Sequence, residues 1–142
     1  MFVFCLCLPL SAYANNEGAV KEYIASIHEE NKLGMASDTI NGKLISYIPS
    51  PVDSNKVVVH WLYTVANYWG HRLTLLQIEG KKYSILHEIS SKGEIDSIKF
   101  NSNILTVEQT VYAKGDARCC PSVDLTEKYK VNNNKMVLLS KN

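Results

Sequence analysis

Apolar residues recur along this chain with two periods, and the change from one to the other falls near Lys56. From Glu17 to Asn31, Ala19, Val20, Tyr23, Ile24 and Ile27 follow one another at helical spacing, so the pattern predicts an amphipathic helix of about four turns. Glu17 suits the positive N-terminal end of that helix, and Gly34 just beyond Lys32 and Leu33 is a plausible stop. A stretch from Met35 to Lys43 leads into the apolar run Leu44 to Ile48, and Pro49 to Lys56 is a loop too short to be a domain linker.

Beyond Lys56 the period shortens to two. The segments Val57 to Ala66, Arg72 to Glu79, Lys82 to Ile89, Ile95 to Phe100, Ile104 to Ala113, Leu125 to Val131 and Met136 to Ser140 read as strands. Asn67, Gly80, Gly93, Asn101 and the run Asn132 to Asn134 punctuate them as turns. Alternation assigns Tyr83, Ile85, His87 and Ile89 to one face of their strand and Lys82, Ser84, Leu86 and Glu88 to the other. Likewise Leu105, Val107 and Val111 oppose Thr106, Glu108 and Thr110. Short connections imply antiparallel neighbours. The expected fold class is α+β: one N-terminal amphipathic helix packed on a mainly antiparallel meander of about seven or eight strands, as a curved sheet, a partial barrel or a sandwich.

Composition narrows the function classes. The chain has 142 residues, 46% of them hydrophobic and 20% charged, which suits a single domain able to bury its own core. Lys plus Arg number 15 against 14 Asp plus Glu, a net charge of +1. That balance lacks the basic field nucleic acid requires, so no nucleic-acid partner is expected.

The first fourteen residues, Met1 to Ala14, carry no charge and end in the small-x-small triplet Ala12-Tyr13-Ala14. They read as a secretory signal peptide cleaved near Ala14, which leaves a single mainly-β domain from 15 to 142 and places the mature protein in the periplasm. Its apolar core is shorter than the roughly 20 residues a membrane span needs, so no stable membrane insertion is expected after its removal.

Two constellations stand out from the strand pattern. In Val65 to His71, Tyr68 and Trp69 lie at the reversal between two long strands, where both rings cannot enter the same core. An exposed ring at such a tip offers large contact area with few rotors, whereas a buried one closes the end of the sheet as a lid. The second constellation, Lys114 to Ser122, holds Asp116, Arg118 and the adjacent pair Cys119 and Cys120, the only cysteines beyond the signal segment. Three readings are open for the pair: a vicinal disulfide that stiffens the loop, free thiols that bind metal or react with oxidants, or links to another chain. Gly115 and Asp116 form a turn signal and Pro121 holds Cys120 extended, so the element is a loop and not a helix-borne redox motif.

The run Gly115-Asp116-Ala-Arg-Cys119-Cys120-Pro121-Ser122, with Tyr63, Thr64, Asn67 and Trp69 upstream and Tyr129 downstream, resembles a group of small exported bacterial proteins of unknown function. The resemblance covers roughly Val57 to Val137 and departs from the group at Pro49 to Lys56, where relatives often carry an acidic segment. It implies export and a β-rich fold and supplies no activity.

Catalytic signatures are not found. His28, His60, His71 and His87 form no metal-spaced pair, and no nucleophile elbow or phosphate-binding glycine loop is present. His60 and His87 alternate with apolar residues, which marks them as core or interface histidines with satisfied hydrogen bonds. Glu127 shares strand parity with Leu125 and Tyr129 and faces inward if they do, whereas such a residue more often marks a rim or edge position. The sequence therefore predicts no enzyme, no cofactor and no metal site. It points to a protein-binding module, an inhibitor or immunity-type protein that neutralises an enzyme or toxin, by analogy with other small periplasmic β-proteins. The candidate binding residues are Tyr68, Trp69, Asp116 and Arg118, with Cys119 and Cys120 as a disulfide. The alternative is a thiol-based metal or redox binder at the cysteine pair.

Overall fold

The computed structural model of the chain describes residues 11–32, 41–65 and 68–142, and within the helix the side chains of residues 16–27. The apolar part of the signal segment, the stop at Gly34 and the turn residue Asn67 lie outside the described residues. Helix α1 (Ser11–Lys32) is followed by β1 (Asn41–Pro49), β2 (Lys56–Val65), β3 (Tyr68–Glu79), β4 (Lys82–Ser90), β5 (Gly93–Asn101), β6 (Ile104–Val111), β7 (Val123–Asn132) and β8 (Lys135–Lys141). Strands β1 to β4 form one antiparallel sheet in chain order and β5 to β8 form a second. A single continuous meander is thus not formed: among the described residues the strands make two four-stranded sheets and no closed barrel.

The break comes at Ser91 and Lys92. The Ser91 N–H donates to the His71 carbonyl (2.9 Å), and its hydroxyl accepts from the Gly93 N–H (3.1 Å) while lying 2.6 Å from Gln109 Oε1. These bonds hold the connection against both sheets, and Gly93 pairs with Val111 of β6 instead of turning back onto β4. By contrast, turns of two residues join β3 to β4, β5 to β6 and β7 to β8. Gly80 and Asn133 take the left-handed conformation such turns require (φ 63° and 51°).

The first sheet is covered on both faces. Val57, Val59, Trp61, Leu76 and Ile78 pack against Ala19, Val20 and Tyr23 of α1. Val58, Leu73 and Leu75 point the other way, onto Ile95, Leu105, Val107, Tyr129 and Met136 of the second sheet. For that reason five consecutive residues of β2, Val57 to Trp61, are all buried. Each of the three valines contributes roughly 1.5–3 kcal/mol through burial. Under the helix, fully buried Thr74 gathers the polar tips: Trp61 Nε1–H donates to its Oγ1 (3.0 Å), and Tyr23 Oη lies at 2.9 Å. Burial pushes the Tyr23 phenol up to about 12.

Three expectations need correction. Helix α1 starts at Ser11 and not at Glu17, and it is only weakly amphipathic. Its buried stripe is short and mixed, with polar Asn16 and small Ala19 beside Val20 and Tyr23. Strand β3 begins at Tyr68 and not at Arg72, because β2 and β3 pair without interruption up to Val65 and Tyr68. In β4 a bulge opposite Leu75 and Leu76 breaks the alternation. Tyr83 therefore belongs to the helix-facing core, Ile85 is 55% exposed, and Leu86 and Ile89 both pack between the sheets. One inserted residue moves every later side chain to the opposite face.

Candidate functional site

Tyr68 and Trp69 are consecutive strand residues, so their side chains leave β3 on opposite faces. Tyr68 is 60% exposed and meets Tyr63 edge to face at 6.3 Å, whereas half-buried Trp69 lies edge-on to His71 at 6.0 Å. Both sit at the margin of the first sheet, next to the crossover at Ser91 to Gly93. The loop between β6 and β7 reaches the same place from the second sheet. Together these segments enclose an open cleft of about 480 Å³, walled by Tyr68, Trp69 and Gly70, by Ser91 to Gly93, and by Tyr112, Asp116 and Arg118. The four predicted binding residues, from segments more than forty positions apart in the chain, thus line one cavity.

Asp116 organises its loop. Its carboxylate accepts the Ala113 N–H (2.6 Å) and the Ser122 hydroxyl (2.8 and 2.9 Å to the two oxygens), and its own N–H donates to the Ala113 carbonyl (3.1 Å). The Ala113 and Ser122 donors hold its carboxyl below the usual carboxylate range. The Tyr112 hydroxyl donates to the Arg118 carbonyl (2.6 Å), and the Cys120 N–H to the Ala117 carbonyl (2.9 Å). With the Ser122 N–H donating to the Val111 carbonyl (3.2 Å), these bonds tie the loop from Val111 to Ser122 to itself. Cys119 and Cys120 stand as an adjacent pair with their sulfurs at disulfide distance, on the exposed side of the loop and outside the cleft wall. Asp116→Ala is expected to release this loop: faster amide exchange at Ala113 and faster proteolytic cleavage between Ala113 and Ser122, with little change in the melting temperature of the sheets. Unchanged exchange at Ala113 would show that the carboxylate is not what holds the loop.

No known protein family, curated protein or solved structure matches this chain. Three aromatic rings, Tyr68, Trp69 and Tyr112, stand with two cationic side chains, Lys92 and Arg118, around a solvent-open space. Among the described residues no group of three His, Cys, Asp or Glu is placed to hold a metal ion. No described helix is long and apolar enough to cross a membrane.

Sequence reasoning missed Tyr112, Ser91 and Lys92. Tyr112 carried a signal, because an aromatic residue directly after a strand and before a Gly-Asp turn must leave the sheet face. Ser91 and Lys92 carried none, since a Ser-Lys-Gly run reads equally well as a hairpin turn. The histidine readings stand where they can be seen. His60 Nε2 and His71 Nδ1 share a hydrogen bond of 2.7 Å, and His87 Nδ1 accepts the Met136 N–H (3.0 Å) across the sheets. The side chain of His28 lies outside the described residues. Glu127 faces inward as its parity implies, accepting the Tyr129 hydroxyl and standing 3.8 Å from Lys141. It borders a second, smaller cavity of about 220 Å³ between the sheets, which shares Ser91 and Lys92 with the cleft.

Proposed function

We propose that this protein is an exported protein-binding module of the inhibitor or immunity type, and that the cleft at the junction of its two sheets is where it docks on an enzyme or toxin. The observation that supports this reading is the convergence of Tyr68, Trp69, Tyr112 and Arg118 on one rigidly framed, solvent-open surface. Tyrosine, tryptophan and arginine are the side chains that most often carry binding energy at protein interfaces. Here they are presented by a strand end and by a loop locked through its own hydrogen bonds, so little entropy is lost on docking. Export rests on the uncharged apolar start and on Ala12-Tyr13-Ala14.

The test is capture of a stoichiometric protein partner by the immobilised chain from periplasmic and neighbouring-cell extracts. Tyr68→Ala combined with Trp69→Ala is expected to weaken that capture by tenfold or more, roughly 1.4 kcal/mol or greater, at a melting temperature within a few degrees of the parent. Unfolding of the variant instead would assign Trp69 to the core; undiminished capture would move the docking face elsewhere. A second reading, thiol-based metal or redox binding, draws on the exposure of the Cys119 and Cys120 pair. Retention of copper or zinc by the reduced protein, lost with Cys119→Ser and Cys120→Ser, would favour it.

A further inference from the structure

The cleft has an uneven balance of free charge. It is walled by two cations, Lys92 and Arg118, and one carboxylate, Asp116. That carboxylate is consumed by the Ala113 N–H and the Ser122 hydroxyl, so it has no ion pair to offer across the cleft. The four ion pairs among the described residues, Lys21 with Glu17, Arg72 with Glu88, Lys99 with Glu108 and Lys141 with Glu127, use neither cation. Both side chains are exposed, and Arg118 joins the loop's internal bonding only through its backbone carbonyl. The crossover and the loop are each held by backbone hydrogen bonds, so the two cations are carried on fixed supports.

We infer that the cleft recognises an acidic segment of its protein partner: an Asp or Glu carboxylate engaged by Lys92 and Arg118, flanked by apolar or aromatic residues that pack on Tyr68, Trp69 and Tyr112. This inference rests on the reading of the cleft as a protein-docking site and specifies the chemistry of the occupant. A guanidinium takes a carboxylate through paired N–H donors, and an ammonium adds charge without geometric demand. The rings supply the apolar contact area that two solvent-accessible ion pairs by themselves do not. A purely basic segment would place like charges together, and a purely apolar one would leave both cations facing a dry interface, so each is selected against.

The test uses the full chain and three sets of capped short peptides, alike in their Phe, Tyr and Leu positions and differing only in carrying Asp and Glu, Asn and Gln, or Lys and Arg. Binding is read from tryptophan fluorescence, because Trp61 is buried and Trp69 is the ring at the cleft. The acidic set is expected to bind, roughly tenfold more weakly in Lys92→Glu with Arg118→Glu, and more weakly again at about 0.5 M salt than at about 0.05 M. Both substitutions are at exposed positions, so an unchanged melting temperature confirms that the fold is intact. Equal binding of the amide set overturns the acidic preference and leaves the docking site standing. If no set binds, and a captured partner is held equally well after Tyr68→Ala with Trp69→Ala, the docking reading fails and the inference with it.

Discussion

Gly93→Ala is expected to destabilise the protein by at least about 1–3 kcal/mol, the usual cost of forcing an extra carbon into a packed site, and to open the junction between the sheets. A Cβ at this position would stand 2.1 Å from the Thr110 carbonyl oxygen and 2.8 Å from Val111 Cα. Both are backbone atoms of β6, so no side-chain rotation relieves the overlap. Either β5 shifts away from β6 or the Gly93 to Val111 pair is lost. The consequence reaches the cleft, because Gly93 lines it and its N–H is held by the Ser91 hydroxyl. Gly70→Ala is the matched control, since Gly70 lines the same cleft and a Cβ there meets nothing within 4 Å. Urea unfolding of the two variants beside the parent checks this. Gly93→Ala as stable as Gly70→Ala would mean that the strands separate at no cost.

Mild acid is expected to destabilise this protein through its histidine pair. Burial, helped by the neighbouring His71, holds His60 down to about 4. Burial also lowers His71, although Glu94 and Asp96 on β5 act in the opposite direction. Histidine in an unfolded chain titrates near 6.5, so the unfolded state takes up protons first as the pH falls. Stability is therefore full above about pH 6.5 and is lost as the pH falls towards about 4, at roughly 1.4 kcal/mol per pH unit for each additional proton bound by the unfolded state. In a domain of this size each kcal/mol lowers the melting temperature by about 4 °C. The interval from pH 6.5 to 5 isolates the histidines from most carboxylates. Over it the parent should lose several degrees, while His60→Gln combined with His71→Gln, which keeps amide hydrogen-bonding groups in place, should be nearly flat. An equally steep fall in the double variant would assign the acid sensitivity elsewhere.

The two predictions concern neighbouring parts of the molecule. His71 is edge-on to Trp69, and its carbonyl holds the Ser91 N–H at the crossover. Loss of the histidine pair or of the close approach at Gly93 would therefore disturb the same cleft margin from the two sheets separately. A partner-binding assay run alongside the stability measurements separates these effects, because Lys92 and Arg118 are exposed and contribute no packing to either core.

The strands were legible in the sequence because alternation of apolar and polar residues is a local property, and most of the predicted runs coincide with strands to within a few residues. The identity of Tyr68, Trp69, Asp116 and Arg118 as unusual positions was legible for a similar reason, since each lies beside a turn signal. What local pattern cannot carry is how segments distant in the chain meet. The division into two sheets depends on Ser91 bonding to His71 and Gln109, residues from the first and the second sheet, and not on anything within Ser91 to Gly93 that differs from a hairpin. The bulge at Leu86 belongs to the pairing of β4 with β3, so strict alternation wrongly grouped Tyr83 and Ile85 with His87 and Ile89, which lie beyond the bulge on the other face. The roles of the site residues also parted only in three dimensions. Asp116 and Arg118 are two positions apart in one loop, yet the carboxylate is spent on holding that loop while the guanidinium faces the cleft without a partner among the described residues. The sequence by itself determined which segments are strands and where the chemically distinctive side chains lie, because those follow from residue type and near neighbours. Tertiary structure alone decided that a strand end, a crossover and a loop share one cleft, because that depends on which backbone groups find partners across the sheets.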